Sequence, residues 1–497
     1  MLTKLLNKIS MYKMVSIALT VLWVVAFVFS LLDIISYSPL AMVASLGVLG
    51  TVVFLATLLF AKLFGVKAHT ESSYITALIL FFIFTPSIEI ASLVTLGFIG
   101  LIAAASKFLL VWRGRHIFNP AAIAALVISL TGLGFASWWV ATPPLFLFTF
   151  ILGFLIIQKT RRFFTGGLFL GLTIPLVFIS LLIQGEPLTN ALVLMLSWPI
   201  FYFSGFMLTE PQTLPPKKWQ QAIEVVIVAL LFAIPFHIGD FSSSPALALV
   251  VGNLVAFIFS RRHAILLKYK GSKKLTPASR ELTFTPTTKL RFEPGQYIEI
   301  TVPHKKVDGR GERRSFSVTS SPMRDDLKLG IKFYDPSSSL KKALTEMPVG
   351  ATITATGING DFTLPKDEST PLLFVAGGIG ITPYISHLRT LKQLKKKRDI
   401  VLVYSVSNLA DLAYKDVIES SGIRVIVVSK SEETIVADNW THVNELFISA
   451  ALLAKHIPDS ASRQAYISGP PFMIDSVKGS LKKLGVKRIK TDYFIGY

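Results

Sequence analysis

RRSFSVTSSP (residues 313–322) sets an arginine and a phenylalanine among small hydroxyl side chains, and how it is read decides the second half of the chain. As a strand, its two-residue period points Arg314 and Phe316 to one face and Ser315 and Ser317 to the other, before local twist or bulging. Alone, R-S-F-S describes any exposed strand. Its neighbours narrow the reading. Upstream, FEPGQYIEI (292–300) is a Gly/Pro turn entering another alternating run, which contains Tyr297. Downstream, PLLFVAGGIGITPYISHLRTL (371–391) reads as an apolar strand, a glycine turn and an amphipathic helix.

About 265 mostly apolar residues precede this region. The chain has 497 residues and is 52% hydrophobic, too apolar for an ordinary soluble protein of its size. Residues 1–265 carry 15 Lys/Arg and 7 Asp/Glu, whereas residues 266–497 carry 35 and 23. The split predicts a membrane domain over 1–265 and a linker over 266–274. Soluble domains follow over 275–367 and 368–497, the junction lying near Arg261, Arg262 and His263. The net charge of +20 does not point to nucleic acid, because the basic residues of the first half gather at helix ends and no binding motif accompanies them. With no cysteine, disulfides, thiolate zinc, cysteine-ligated iron–sulfur clusters and C-x-x-C-H haem are excluded, and no metal site is expected. The first apolar run follows Lys4, Lys8 and Lys13 without a small-residue cleavage pattern, so it reads as a retained anchor.

Ten candidate helices are centred on 14–33, 38–61, 74–86, 91–111, 119–134, 142–158, 164–183, 190–208, 220–236 and 245–260. Alternate connections hold Lys62/Lys67, Arg113/Arg115, Lys159/Arg161/Arg162 and Lys217/Lys218, and the last helix exits into Arg261/Arg262. The intervening ones hold only Asp33, Glu89, Glu186 and Asp240. That alternation follows the positive-inside bias and predicts both termini in the cytoplasm. ILFFIFTPS (79–87) is echoed by IFYFSGFMLTEP (200–211), and FNPAAIAAL (118–126) by SSPALALVV (243–251). Five helices per unit make the two repeats inverted. Thr85 then falls at the outer side and Thr209 at the inner, with Pro120 starting inside and Pro245 outside. Broken or Pro-started helices at matching places in inverted repeats surround binding sites, although Pro also simply starts helices.

GRHIFNPAA and GFMLTEPQTLP resemble the family of integral-membrane subunits shared by sodium-translocating NADH:quinone reductase and the Rnf complex. The resemblance spans roughly residues 10–265. It implies ten helices in two inverted repeats, a flavin within the membrane domain and a place in machinery coupling electron flow to ion movement. Gly114, Asn119 and Pro120 match the first phrase; Thr209, Glu210 and Thr213 match the second. Thr85, Asn119, Thr209, Glu210 and Thr213 are thus the membrane-domain candidates. The family's SGAT-type flavinylation sequence is missing, so any membrane flavin, FMN or riboflavin, is expected to be non-covalent.

The second half resembles the ferredoxin–NADP reductase superfamily over about 275–497. This implies a flavin-binding antiparallel β-barrel followed by an α/β nucleotide-binding domain. R-S-F-S matches the family's R-x-Y-S/T signature with Phe for Tyr, after the strand carrying Tyr297. Arg314 would then meet the FAD pyrophosphate, Phe316 would stack on the isoalloxazine, and Ser315 and Ser317 would line the site, Ser317 near N5. Ser338 and Ser339, after Asp335, take the place of a G-x-x-S turn at the pyrophosphate. GATITATGINGDFTLP (350–365) closes the barrel. Gly377, Gly378 and Gly380, followed by Thr382 and Pro383, form the nucleotide turn at a helix start. Ser407 or Asn408 stands where NADPH enzymes often place an Arg, which leans toward NADH. YISGPPFM (466–473) corresponds to the C-G-P segment beside the nicotinamide, with Ser468 for Cys, then Gly469 and Pro470. Asp492 and Phe494 match acidic and aromatic residues brought to the flavin from the C-terminus.

Together these readings predict a multi-pass plasma-membrane (bacterial inner-membrane) NAD(P)H dehydrogenase with its flavin domain in the cytoplasm. Electrons would pass from NAD(P)H through FAD to a membrane-domain cofactor and on to a quinone or extracellular acceptor, with ion coupling by analogy. Two alternatives stand beside it. One is a ferric-reductase or NADPH-oxidase type protein, which needs paired haem-ligating histidines, whereas His69, His116, His237 and His263 lie near helix ends or loops. The other is a transporter whose flavin domain senses redox state.

Overall fold

The computed structural model describes residues 9–66, 68, 70–112, 115–210, 213–238, 241–259, 264–308, 311–333, 336–431 and 438–493. Gly114, Pro211, Asp335, Phe494 and the Arg261–His263 junction lie outside the described residues. The chain divides into two compact units, Met1–His263 and Ala264–Tyr497.

The first unit is helical: α1 (Met11–Leu31), α2 (Pro39–Leu63), α3 (Thr70–Ile83), α4 (Ile90–Leu109), α5 (Pro120–Thr131), α6 (Pro143–Thr160), α7 (Phe163–Ile183), α8 (Leu188–Leu196), α9 (Ile200–Tyr202), α10 (Lys218–Ala233) and α11 (Pro245–Phe259). Side-chain oxygens set several starts. Ser10 accepts the Lys13 N–H, Ser38 the Ala41 N–H, and Asn119 the N–H groups of Ala121 and Ala122. Six stretches among the described residues are long and apolar enough to cross a membrane: α1, α2, α4, α6, α7 and the composite 188–208. Helices α3, α5 and α11 are apolar but shorter. The single helix expected over 190–208 is interrupted. α8 ends at Ser197, Pro199 precedes α9, and the chain continues into a π-helical turn, Phe203–Leu208. Pro199 has no N–H to continue the ladder.

Helix α2 packs on α3 and α4, α1 on α3, and α4 on α5; likewise α7 packs on α8 and α10, α6 on α9 and the π turn, and α10 on α11. The two groups meet through α1 against α6 and α5 against α11. A two-residue hairpin, β1 (Val111–Trp112) with β2 (Arg115–His116), precedes α5, and a second, β3 (His237–Ile238) with β4 (Phe241–Ser242), precedes α11. At one crossing the backbones touch: a Cβ on Gly205 would lie 2.4 Å from the Gly153 Cα.

The second unit opens with an antiparallel six-stranded sheet. Its strands are β5 (Ala264–Thr276), β6 (Ser279–Pro286), β7 (Tyr297–Thr301), β8 (Arg313–Ser317), β9 (Leu327–Lys332) and β10 (Thr352–Asn359), in the order β8-β7-β10-β5-β6-β9. A bridge from Val318 to Leu329 brings its two edges together, closing the barrel. The stretch 266–274, expected to be a linker, is instead most of β5. Ile265, Leu267 and Tyr269 point into the barrel core while Leu266, Lys268 and Lys270 point out. Helix α12 (Ser339–Thr345) packs Leu340 and Leu344 on the same core.

A parallel sheet follows: β11 (Leu372–Gly377), β12 (Ile400–Ser405), β13 (Arg424–Val428), β14 (Trp440–Val443), β15 (Gln464–Gly469) and β16 (Ile489–Tyr493), ordered β14-β13-β12-β11-β15-β16. Strands β11 and β12 are almost wholly buried on both faces, as a sheet covered by helices requires. The order reverses between β11 and β15, and in sheets of this kind ligands bind outside the C-terminal strand ends at such a switch point.

Candidate functional site

At the switch point, three glycines act for different reasons. A Cβ on Gly377 would meet Met473 Sδ at 2.4 Å, and one on Gly380 would meet the Ser468 carbonyl oxygen at 2.5 Å, so Gly377 lets the helix after β15 pack on the end of β11 and Gly380 lets the turn after β11 close on the end of β15. Gly378 has φ +54° and nothing within 4 Å of a Cβ, which leaves its side of the turn open. Helix α13 (Thr382–Gln393) starts directly after it, with Pro383 in the first turn and Thr382 donating to the Ile379 carbonyl. On the neighbouring strand Gly469 has φ +152°, and Pro470 precedes α14 (Pro471–Lys483). Ser468 is fully buried, and its hydroxyl has no hydrogen-bond partner among the described residues.

The R-S-F-S strand is β8, paired with β7 so that Tyr297 faces Ser317, Ile298 faces Phe316 and Ile300 faces Arg314. Arg314 and Ser317 are buried, Ser315 is exposed, and Phe316 lies partly buried against the barrel core. The Ser317 hydroxyl lies near enough to the Asp492 carboxyl on β16 to favour its charged form, and Asp492 sits beside Ser468 in the β15–β16 register. Burial and, after it, the charge of Asp361 push the Asp492 carboxyl up to about 7, with the nearby Ser317 hydroxyl opposing. The structure therefore gathers Ser317, Asp492 and Ser468 from the barrel strand and two sheet strands. Tyr297 packs its ring edge against Gly360. Ser338 and Ser339 have local partners: Ser338 accepts the Lys341 N–H as the cap of α12, and Ser339 exchanges two bonds with Asp308, at 3.0 and 2.9 Å. Phe494 is outside the described residues.

In the helical unit, Asn119, Glu210 and Thr213 come together. Asn119 Nδ2 donates to Glu210 Oε2 at 3.1 Å, His116 Nε2 lies 3.8 Å from Glu210 Oε1, and Thr213 donates to the Glu210 carbonyl. Thr209 is buried next to them and donates to the Gly205 carbonyl. Thr85 pairs elsewhere, donating to Ser137. Ser137, Trp138 and Trp139 in turn bond the carbonyls that end α3, so this helix break is met by protein groups.

Sequence reasoning missed Asn253, whose Oδ1 accepts the Asn119 N–H at 2.7 Å while its buried Nδ2 has no partner among the described residues. It also missed buried Glu224, adjacent to Gly252, and Lys107, which bonds Ser72 and lies within electrostatic reach of Glu210. The signal was present. Each is a polar residue inside an apolar run, VVGNLVAF, AIEVVIVAL or IAAASKFLL, and such residues in a membrane helix are functional candidates by default.

Residues 271–364 match the oxidoreductase FAD-binding domain, and residues 374–479 the oxidoreductase NAD-binding domain. The chain is similar to the reductase component of propane 2-monooxygenase from Mycolicibacterium goodii, 31% identical over 213 residues, covering 41% of this chain and 59% of that protein. It is also similar to the flavohemoprotein of Pseudomonas putida, 27% identical over 205 residues, covering 41% and 51%. A crystal structure of Amycolatopsis cytochrome P450 reductase GcoB aligns with 47% of this chain and 70% of its own, at 22% identity and a TM-score of 0.40. The chain spans between half and three-fifths of the curated relatives' lengths. The second unit is thus an FAD-binding, NAD(P)H-dependent oxidoreductase module.

Proposed function

We propose that the chain is a membrane-bound NAD(P)H dehydrogenase whose reductase module feeds electrons to an acceptor site in the helical unit. One observation carries the first part: Asp492 stands in register with Ser468, whose buried hydroxyl has no partner among the described residues, at the sheet's switch point. These residues fit the two cofactors. Buried Arg314 suits the FAD pyrophosphate, and the open side of Gly378 with the start of α13 suits that of the nucleotide. Bound FAD would supply the chemistry, accepting two electrons from NAD(P)H and releasing them singly. The chain's own part is geometric and electrostatic. Ser468 offers a donor where the β11 and β15 ends meet. The Asp492 carboxyl, with Ser317 nearby, can take or give a proton near neutral pH. Gly377 and Gly380 let the helix after β15 and the turn after β11 pack closely at the site. Ser407 and Asn408 follow β12 in place of a basic residue, which favours NADH.

The acceptor side rests on the helical unit. Within each five-segment half the same pairs of helices pack, a hairpin precedes each last helix, and the first and last helices meet their counterparts. That pattern supports two repeats and ten segments, resembling the membrane components of the sodium-translocating quinone reductase and Rnf machines. The polar group around Asn119, Glu210 and Asn253 is the natural site for a non-covalent flavin there, with the Asn253 amide, unpartnered among the described residues, as a donor. A quinone or an extracellular acceptor would follow. His116 engages Glu210, which argues against a haem-ligand role for it. The basic connections support cytoplasmic termini and a cytoplasmic module.

The test uses the full chain purified in detergent. NADH should bleach the bound flavin within the turnover time, and added quinone should restore its colour. Two flavins per chain are expected. Failure of both NADH and NADPH to bleach FAD-loaded protein would refute the dehydrogenase reading, and a single flavin would remove the membrane carrier.

A further inference from the structure

Helix α13 starts at the nucleotide turn, and its next two turns grip the flavin strand's continuation. Ser386 and Arg389 follow Thr382 at i+4 and i+7, one side of the helix. Ser386 Oγ donates to the Ser320 carbonyl at 2.7 Å, and Arg389 Nη1 donates to the Thr319 carbonyl at 3.0 Å. The same guanidinium reaches both carboxylate oxygens of Glu281 on β6, at 2.7 and 3.1 Å. Thr319 closes the ring by donating its hydroxyl to Glu281 Oε1 at 2.7 Å. Thr319 and Ser320 lie two and three residues beyond Ser317, the end of β8.

The carboxylate side chain is 3% exposed, Lys328 Nζ stands 3.8 Å away, and the guanidinium lies 5.4 Å from the centre of the Tyr414 ring. A buried pair of this kind is weak as a source of stability, since apolar residues of similar volume do as well. What a two-pronged Arg–carboxylate contact adds is direction, because the planar fork accepts its partner in one orientation. Here that direction joins the strand carrying Arg314–Ser317 to the helix that starts at Gly378–Thr382.

We propose that Arg389 is a positioning residue. By holding Thr319 and Glu281 against α13, it fixes the spacing between the end of β8 and the nucleotide turn, and so the alignment of nicotinamide with flavin. The proposal rests on reading this unit as the reductase module.

The full chain in detergent, loaded with FAD, is titrated with NADH as wild type, Arg389→Lys and Ser386→Ala. Three quantities are read: the NADH Kd, the long-wavelength absorbance of nicotinamide stacked on flavin, and the limiting rate of flavin bleaching. Lysine keeps the charge opposite Glu281 but cannot bridge it and the Thr319 carbonyl as a planar fork. Arg389→Lys is expected to bind NADH within about twofold of wild type, lose most of the stacking absorbance and bleach roughly tenfold to a hundredfold more slowly, as a misplacement of about 1 Å does. Ser386→Ala should move the same two readings in the same direction by less. A lower melting temperature with absorbance and limiting rate intact would overturn the proposal, leaving the pair a structural contact. Should Arg389→Lys not fold, Ser386→Ala decides by the same readings. A wild type that neither nucleotide bleaches removes the reductase reading itself, and is told apart because it needs no substitution.

Discussion

Replacing Asp492 with Asn should remove a pH dependence of stability that this one carboxyl imposes on the second unit. Its pKa stands at about 7 in the folded chain, raised by burial and by Asp361, against about 3.9 for an unfolded aspartate. The folded state therefore holds the proton more tightly. The associated stability is complete below pH ~4 and is lost as pH rises through ~7. Between pH 5 and pH 8 a shift of this size lowers unfolding free energy by about 2–3 kcal/mol. For a unit of this size that corresponds to a fall in melting temperature of roughly 5–10 °C. The amide of Asn is nearly isosteric with the carboxyl but carries no charge at any pH. The assay is thermal release of bound flavin, followed by its fluorescence, at intervals from pH 5 to pH 8 for both proteins. The difference between variant and wild type should grow with pH, Asp492→Asn becoming the more stable at pH 8. Parallel curves across this range would refute the claim that the Asp492 carboxyl is protonated in the folded chain at mildly acid pH.

Ser468→Ala should leave stability unchanged or slightly higher, because the lost hydroxyl is buried without a partner among the described residues. It should slow flavin bleaching by NADH about tenfold or more, read by stopped flow, with Ser468→Cys closer to wild type. Gly380→Ala places a methyl 2.5 Å from the Ser468 carbonyl oxygen and 2.7 Å from Gly469 Cα, so backbone must shift. We expect about 1–3 kcal/mol of destabilisation and a higher NADH KM, measured by melting and steady-state kinetics. Asn119→Ala strips the side-chain cap from α5 and removes the amide that donates to Glu210 Oε2, while the backbone N–H to Asn253 Oδ1 is kept, costing about 1 kcal/mol. It should lower flavin content per chain and slow quinone reduction relative to ferricyanide reduction. Breaking the buried Glu281–Arg389 pair with Glu281→Ala should cost about 3–5 kcal/mol, seen in the same melting assay, because the arginine stays behind without its carboxylate.

Much of the second unit was legible because its signals are local. Two-residue alternation gives β7 and β8, an apolar run before glycines gives β11, and the Gly378 turn needs a positive φ wherever the fold lies. The alternation of Ile265, Leu267 and Tyr269 was equally present, but the basic residues interleaved on the outer face made β5 look like a linker. In the apolar half, hydropathy fixes where chain can be helical but not where a helix breaks, which depended on Pro199 and on what could satisfy the freed carbonyls.

Order along the chain, composition and residue period thus determined an apolar helical unit and a strand-rich unit with flavin and nucleotide motifs in sequence. Only the tertiary structure decided that Ser317 reaches Asp492, that Asn253 reaches Asn119 and that Arg389 reaches Glu281. Each pair joins residues more than a hundred positions apart. Local propensity cannot encode such a meeting; strand order and helix packing bring the partners together, and burial then sets how strongly they interact.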